Sequence, residues 1–421
     1  MPPRSSNYRD RADVDVSSSM ELGTSAENAE KRKHIVFVRR GVGFPNAMAT
    51  ADRIRRIGGA LAAENARVTL LTVGSSEPPH RVVNTEARGN FEGIDYEYTS
   101  GTTIRADSFI RRRLIDIRAH MVAVWRILTL DKRHEHPSIF LGYDMDGPRL
   151  LNYLAWGAAE LRGIPVYIEV NERAWSMMDD KRWYSFVSPL FGTDGAVVIS
   201  ELLAKWAREA TEGRPSYKVL QIPILASGAE FQDLSLGPPK PYVVFSGSIA
   251  YASTMRFIVE AMEKVWQALP DHKLVLTGYK ETDADWRALV DWIAGRGRLE
   301  QVNLLSYLPR NDLLKLYGEA KALLIPLFSD VQSAARFPTK IGEYLYSSRP
   351  VVITSASEVD RYFRDGESAY IAEGDTVDAY GDALIRALTD ERASVVGRNG
   401  RRVAEKNFEV SLYRRELINF F

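Results

Sequence analysis

Short, nearly continuous Val/Ile/Leu runs alternating with helical segments most constrain what this chain can fold into. HIVFV (34–38) ends in a Gly/Pro/Asn loop, RRGVGFPN. The next segment, to Ala66, puts Ile54, Ile57 and Leu61 on one helical face, and RVTLLTVG (67–74) is a second strand. Strand, helix and strand in this order form a βαβ unit, which predicts a parallel sheet. The pattern recurs in PSIFLGYD (137–144), a helix over PRLLNYLAWGAAELRG bounded by a proline and Gly163, IPVYIEV (164–170), GAVVIS (195–200), a helix over 201–211 and KVLQIP (218–223). Residues 90–104 are less regular, and FEGIDYEYTSG offers one further strand.

Residues 226–240, ASGAEFQDLSLGPPK, are poor in large aliphatics and end in Gly-Pro-Pro, the composition of a linker. Beyond them the alternation restarts with strands at 241–247, 272–278, 302–308 and 321–327 and helices between them. Strands that are apolar along their whole length are covered on both faces. The expected fold is therefore α/β: two Rossmann-like, doubly wound domains facing each other across a cleft. A chain of 421 residues suits two such domains. The expected division is a disordered tail over 1–33, a first domain over 34–226, a linker over 227–240, a second domain over 241–408, and a C-terminal helix over 409–421 that packs back on the first domain. The tail is predicted from the Ser-rich, charged first 30 residues.

Composition removes several classes of function. Lys+Arg and Asp+Glu are equal at 55 each, so there is no global bias toward nucleic acid. With 0 cysteines, disulfides, thiol catalysis and Cys-ligated zinc are excluded. No apolar run approaches the ~18 residues of a membrane span, so a cytoplasmic protein, at most attached to the inner face of a membrane, is expected. The Asp144-Met145-Asp146 and Asp283-Ala284-Asp285 triplets suit helix caps as well as metal, and no metal is expected. Gly41-x-Gly43-x-x-Asn46 lacks the third glycine of a dinucleotide-binding loop.

The densest stretch is RFPTKIGEYLYSSRPVVIT (336–354). Pro338 suits the first position of a helix running to about 348, whose N-terminus would attract an anion beside Arg336 and Lys340. Lys340 and Glu343, three apart, share a face. A cation for phosphate and a carboxylate for sugar hydroxyls suit a nucleotide; the same spacing also suits an ordinary surface pair.

This run, R-x-P-x-K-x-x-E-Y-L followed by S-R-P-V-V, resembles the donor-site segment of family 4 (group 1) glycosyltransferases, which have the two-domain GT-B fold. The similarity continues through SRPVVITSASEVDRYFRDGESAYIAEGD (348–375), TDGAVVISELLAKW (193–206) and the loop and helix after Gly41. It implies an enzyme that moves a sugar, with retention, from a UDP- or GDP-sugar to a glycan, lipid-linked or small-molecule acceptor. No cofactor is required, and the setting is envelope or exported polysaccharide. By the same resemblance Glu343 receives the donor ribose, and Arg336 and Lys340 clamp the diphosphate. Gly247, Ser248, Gly278, Tyr307, Leu308, Pro338 and Thr339 border the nucleotide. Gly41, Gly43, Phe44 and Asn46 form the acceptor-side phosphate loop, and Asp144 and Glu172, near Asn171, stand at catalytic strand ends. The pattern departs at Ala335, where a first glutamate is usual, and at Ser248, where basic residues are usual. Those departures also suit a non-catalytic relative that binds nucleotide or glycan as a partner subunit.

Residues 105–133 hold eight Lys/Arg against three Asp, with Phe109, Trp125 and Leu128 interleaved. This suits peripheral contact with an anionic membrane, or a helix with a core face and a solvated basic face.

Overall fold

The computed structural model of the chain describes residues 31–46, 49–143, 150–172 and 190–421. The first sheet has eight strands: β1 (Arg32–Arg40), β2 (Arg67–Val73), β3 (Arg88–Phe91), β4 (Ile94–Tyr98), β5 (Glu135–Gly142), β6 (Val166–Val170), β7 (Gly195–Val198) and β8 (Lys218–Gln221). Their spatial order is β3-β4-β2-β1-β5-β6-β7-β8, and only β3 runs antiparallel. The second sheet has six: β9 (Tyr242–Ser246), β10 (Lys273–Thr277), β11 (Val302–Leu305), β12 (Ala322–Ile325), β13 (Val351–Thr354) and β14 (Tyr370–Ala372). They are all parallel, in the order β11-β10-β9-β12-β13-β14. Strand order reverses between β1 and β5 in one sheet and between β9 and β12 in the other, the places where ligands sit on doubly wound sheets.

Helices α1 (Ala49–Ala63), α2 (Phe109–Leu128), α3 (Leu150–Glu160) and α4 (Glu201–Ala210) accompany the first sheet. Helices α5 (Ala252–Ala268), α6 (Ala284–Gly295), α7 (Arg310–Gly318), α8 (Val331–Ala335), α9 (Lys340–Tyr346), α10 (Val359–Tyr362), α11 (Val377–Thr389) and α12 (Ala393–Asn407) accompany the second. The last, α13 (Arg414–Phe420), lies on the first sheet. Leu417 and Phe420 are buried there; Phe420 packs on Tyr167 at 4.9 Å and Phe421 on Phe140 at 5.0 Å.

Several boundaries differ from the expected ones. The expected tail ran to 33, but Arg32 and Lys33 are already strand residues in register with Glu135 and His136; residues 1–30 lie outside the described residues. The irregular 90–104 segment forms a β3–β4 hairpin whose second strand joins β2. The third strand of the second sheet stops at Leu305 instead of 308. The Leu305 carbonyl accepts from Tyr279 N at 3.0 Å, and the chain then turns through Pro309 to cap α7. The helix expected over 338–348 is shorter, Lys340–Tyr346. Ile341 N donates to the Pro338 carbonyl at 3.1 Å, so Pro338 belongs to a tight turn ahead of the helix, and Ser348 ends it with φ 60°.

One packed core passes from the first sheet into the second. Val36, Ile139 and Val198 share it with Ile224, Ala226, Ala335, Phe337, Ile341 and Ile353. Gly342 makes the junction feasible. A Cβ there would lie 2.6 Å from the Ala226 Cβ, so only glycine lets α9 rest on the crossing chain.

Candidate functional site

The second sheet brings the loops after β9, β10, β11 and β12 to its carboxyl edge, and α9 begins beside them. Glu343 is the electrostatic centre. Its carboxylate accepts from Arg310 Nη1 at 2.8 Å and Lys340 Nζ at 3.1 Å, and its side chain is only 11% exposed. Burial pushes the Glu343 carboxyl up, but Lys340 and Arg310 outweigh it and hold the group below its ordinary value. Arg310 also makes a two-pronged contact with Glu230, Nε and Nη2 each within 3.0 Å. Arg56, on α1 of the first domain, donates to Glu230 at 2.9 Å and to Asp52 at 2.7 Å. Six alternating charges, Asp52–Arg56–Glu230–Arg310–Glu343–Lys340, thus run from the first domain across the linker to the carboxyl edge of the second.

Glu230 and Arg310 escaped the reading of the sequence. Glu230 lies inside the segment taken for a plain linker, on a short helical turn, Gly228–Phe231, anchored by buried Phe231. Arg310 directly follows the Tyr307-Leu308-Pro309 run. An arginine opening a helix just past a strand end was a usable signal.

The other donor-side residues separate into backbone and side-chain roles. Gly278 has φ +88°, and a Cβ on it would fall 2.6 Å from the Gly247 carbonyl oxygen, so the two loops can meet only through glycine. Ser248 starts the turn that carries Tyr251, whose amide donates to the Ser248 carbonyl at 2.9 Å. Arg336 lies over the Tyr251 ring at 5.4 Å and donates weakly to its hydroxyl at 3.4 Å. Tyr307 is exposed, with Arg81 of the first domain 5.0 Å above its ring, while Leu308 is half-buried. Thr339 is exposed and Pro338 half-buried in the turn before α9.

Ala335, where a carboxylate is usual in the resembled family, is fully buried, and its carbonyl accepts from Ser200 Oγ of the first domain at 2.7 Å. A carboxylate at that position would enter the shared core instead of the cleft. The alanine is a packing residue of the domain junction.

On the first domain, Gly41 has φ +58° and its amide donates to the Val73 carbonyl at 3.0 Å, turning the chain at the end of β1. Gly43 is half-buried. Phe44 is a core residue, packed edge-on against Tyr96 at 5.4 Å and bonded through its amide to Tyr98 at 2.9 Å; its ring faces no cleft. The backbone of Asn46 exchanges two bonds with the Asn84 side chain, at 3.0 and 3.2 Å. The loop is therefore pinned from behind. Glu169, at the end of β6, is buried between Arg39 at 3.0 Å and Arg53 at 2.6 Å. This is a structural neutralisation, with both arginines also bonded to backbone carbonyls. Asn171 and Glu172 follow β6 at that edge; Asp144 lies outside the described residues. Asp283 caps α6, accepting from the Asp285 and Trp286 amides at 3.0 and 3.4 Å. Among the described residues no cluster of three or more His, Cys, Asp or Glu is arranged to hold a metal ion.

Residues 240–390, which include β9 to β14 and the Glu343 centre, match the family described as Glycosyl transferases group 1. No curated protein sequence matches the chain. Among solved structures, sucrose-phosphate synthase from Thermosynechococcus elongatus superposes with a TM-score of 0.65 at 15% identity, covering 92% of this chain and 98% of that one. An α,α-trehalose-phosphate synthase (UDP-forming) from Burkholderia vietnamiensis gives 0.63 at 14%, over 92% and 99%. The pneumococcal O-GlcNAc transferase GtfA, solved with UDP and GlcNAc, gives 0.61 at 12%, over 92% and 97%. At such identities the likeness establishes the two-domain GT-B architecture along the chain, and the family match adds the chemistry of its second half. The charged centre on α9 therefore lies within a glycosyl transferases group 1 domain, and the protein is a glycosyltransferase of the GT-B fold.

Proposed function

We propose that the protein transfers a glycosyl group from a UDP- or GDP-sugar to an acceptor hydroxyl, with retention of configuration, and that the donor lies over Glu343. The observation that carries this reading is the buried Glu343 carboxylate with Lys340 and Arg310 on its two oxygens, at the carboxyl edge of a doubly wound sheet. A carboxylate accepts hydrogen bonds from ribose hydroxyls, and two adjacent cations complement a diphosphate. As the bond between the anomeric carbon and the diphosphate oxygen breaks, charge grows on the leaving group, and Arg336 and Lys340 supply the compensating positive field. The acceptor oxygen bonds to the same face of the anomeric carbon, and its proton passes to the leaving phosphate oxygen. No protein nucleophile and no metal are needed in this scheme. Gly41 and Gly43 let backbone amides approach the ligand from the first domain, and Asn46, Asn171 and Glu172 flank the acceptor.

The Lys/Arg excess over 105–133 supports a peripheral contact with the inner face of a membrane, as suits envelope or exported polysaccharide. The test of the donor site is calorimetry of UDP, GDP and inorganic diphosphate with the chain and its Glu343→Ala variant. The variant should lose at least about tenfold in affinity for the preferred nucleotide, the cost of one hydrogen bond to a charged group, while diphosphate binding persists. Unchanged nucleotide affinity removes Glu343 from the donor site. The product's anomeric configuration, read by NMR, tests retention.

A further inference from the structure

One face of α2 is uncovered. Ala119, Ala123 and Ile127 are buried on its inner side, whereas Phe109, Ile110, Leu114, Ile117, Met121 and Trp125 are 57–71% exposed. From Ile110 the steps are four, three, four and four residues, so five of the six form a single stripe along the helix. Isolated surface hydrophobics are ordinary; a continuous stripe of large side chains marks a contact surface.

The start of α2 adjoins a cavity of about 350 Å³ at the carboxyl ends of β1 and β2, lined by Arg40, Gly74, Ser75, Arg105, Arg112 and Asp116, among others. Three arginines and one carboxylate line it. Arg105 donates to the Ser75 carbonyl at 3.3 Å, and Arg112 to the carbonyls of Ala106 and Asp107 at 3.3 and 3.4 Å. These are long bonds to neutral partners, and among the described residues none of the three arginines has a carboxylate within 4.0 Å. They contrast with Arg39, Arg53, Arg56 and Arg310, each neutralised by a glutamate. Unneutralised guanidinium forks around a concave space are suited to the oxygens of a phosphate ester.

We propose that this cavity binds the phosphate or diphosphate head of an acceptor carried on a long apolar chain, with the α2 stripe seated in the lipid surface that holds the chain. The assignment rests on the glycosyltransferase reading and names its acceptor class. The cavity lies at the carboxyl end of β1, one of the two strands of the switch point, and Gly41 of the first-domain loop also lines it, so an anchored phosphate would sit next to the loop assigned to the ligand. The apolar stripe of α2 and the cavity at its start, lined by Arg112 of the helix, Arg105 of the preceding loop and Arg40 at the end of β1, are the two halves such an amphiphile requires.

The test uses the full chain and neutral phosphatidylcholine vesicles holding a few mole per cent of farnesyl diphosphate, or farnesol instead, in co-sedimentation. The diphosphate vesicles should bind at least about tenfold more tightly, because each arginine contributes a charge-assisted contact. The triple variant Arg40→Gln/Arg105→Gln/Arg112→Gln should lose that preference, and Leu114→Ser/Met121→Ser should weaken binding to both vesicles. Equal binding to the two vesicles, a preference that survives the triple variant, or vesicle binding indifferent to the stripe variant overturns the proposal. Inorganic diphosphate that abolishes vesicle binding without any dependence on the stripe identifies a soluble phosphate site and overturns it as well. UDP and GDP calorimetry on the same proteins checks folding. If the wild-type chain binds neither nucleotide, the donor reading fails, whatever the vesicles do.

Discussion

Replacing Glu230 by glutamine removes one charge from the middle of the six-residue chain that joins the two domains, while keeping the side chain's size. Glutamine can still accept through one oxygen, but its amide now faces the N–H groups of Arg56 or Arg310. The two sides should not respond equally. Arg56 is 8% exposed at the side chain and Glu230 25%, so that contact is shielded, and losing a hydrogen bond between charged groups there costs about 1.5–3 kcal/mol. Arg310 is 37% exposed, and solvent screening reduces its share to about 0.5–1 kcal/mol. Together the loss is about 2–4 kcal/mol. With a urea slope near ~3 kcal/mol/M, the unfolding midpoint should fall by about 0.7–1.3 M, followed by the fluorescence of the 8 tryptophans. Double-mutant cycles pairing Glu230→Gln with Arg56→Gln and with Arg310→Gln isolate the two couplings. A Glu230–Arg56 coupling no larger than the Glu230–Arg310 coupling refutes the argument that burial decides the strength.

Acid should erase the same advantage. Burial raises the Glu230 carboxyl, but Arg56 and Arg310 more than reverse this and hold it below its ordinary value. Its stabilising contribution is thus complete above the unfolded carboxylate pKa and fades as pH falls through the lower folded one. The midpoint gap between wild type and Glu230→Gln should narrow steadily as pH falls below the ordinary carboxylate value of about 4.3; a gap that stays constant or widens between about pH 5 and about pH 2 contradicts it. Ala335→Glu should destabilise the domain junction by about 3 kcal/mol or more, since the site is fully buried and filled; a urea midpoint within 0.3 M of wild type, ~1 kcal/mol on the same slope, would show that the side chain escapes to solvent. Gly278→Ala places a Cβ 2.6 Å from the Gly247 oxygen at φ +88°. It should cost about 1–3 kcal/mol and weaken nucleotide binding in calorimetry, and an unaltered variant in both assays would mean the two loops part freely.

Local pattern alone was enough to predict two parallel sheets. Strands such as VTLLTV and ALLIP are apolar along their length, and the intervening segments carry helical periodicity, so each strand must be covered on both faces and each connection must cross over. Glu343 and Lys340 were legible for a similar reason: three residues apart on a helix, they meet whatever the rest of the chain does. Where a turn rather than a helix held Pro338, local reading placed the boundary wrongly; at 90–104, where periodicity was weak, it found one strand, Ile94–Tyr98, and missed its hairpin partner.

Long-range neighbours were a matter for the tertiary structure alone. Arg310 reaches Glu343 across 33 positions, and Arg56 reaches Glu230 across 174. Nothing in the flanking residues records such distances, because a charge on a surface helix looks the same whether its partner is solvent or another domain. The same holds for Ala335 and Phe44, which only packing assigns to the core, and for the α2 stripe, which only packing leaves bare. Backbone periodicity is written residue by residue along the chain. Which side chains are desolvated together is decided by how the two sheets close on each other.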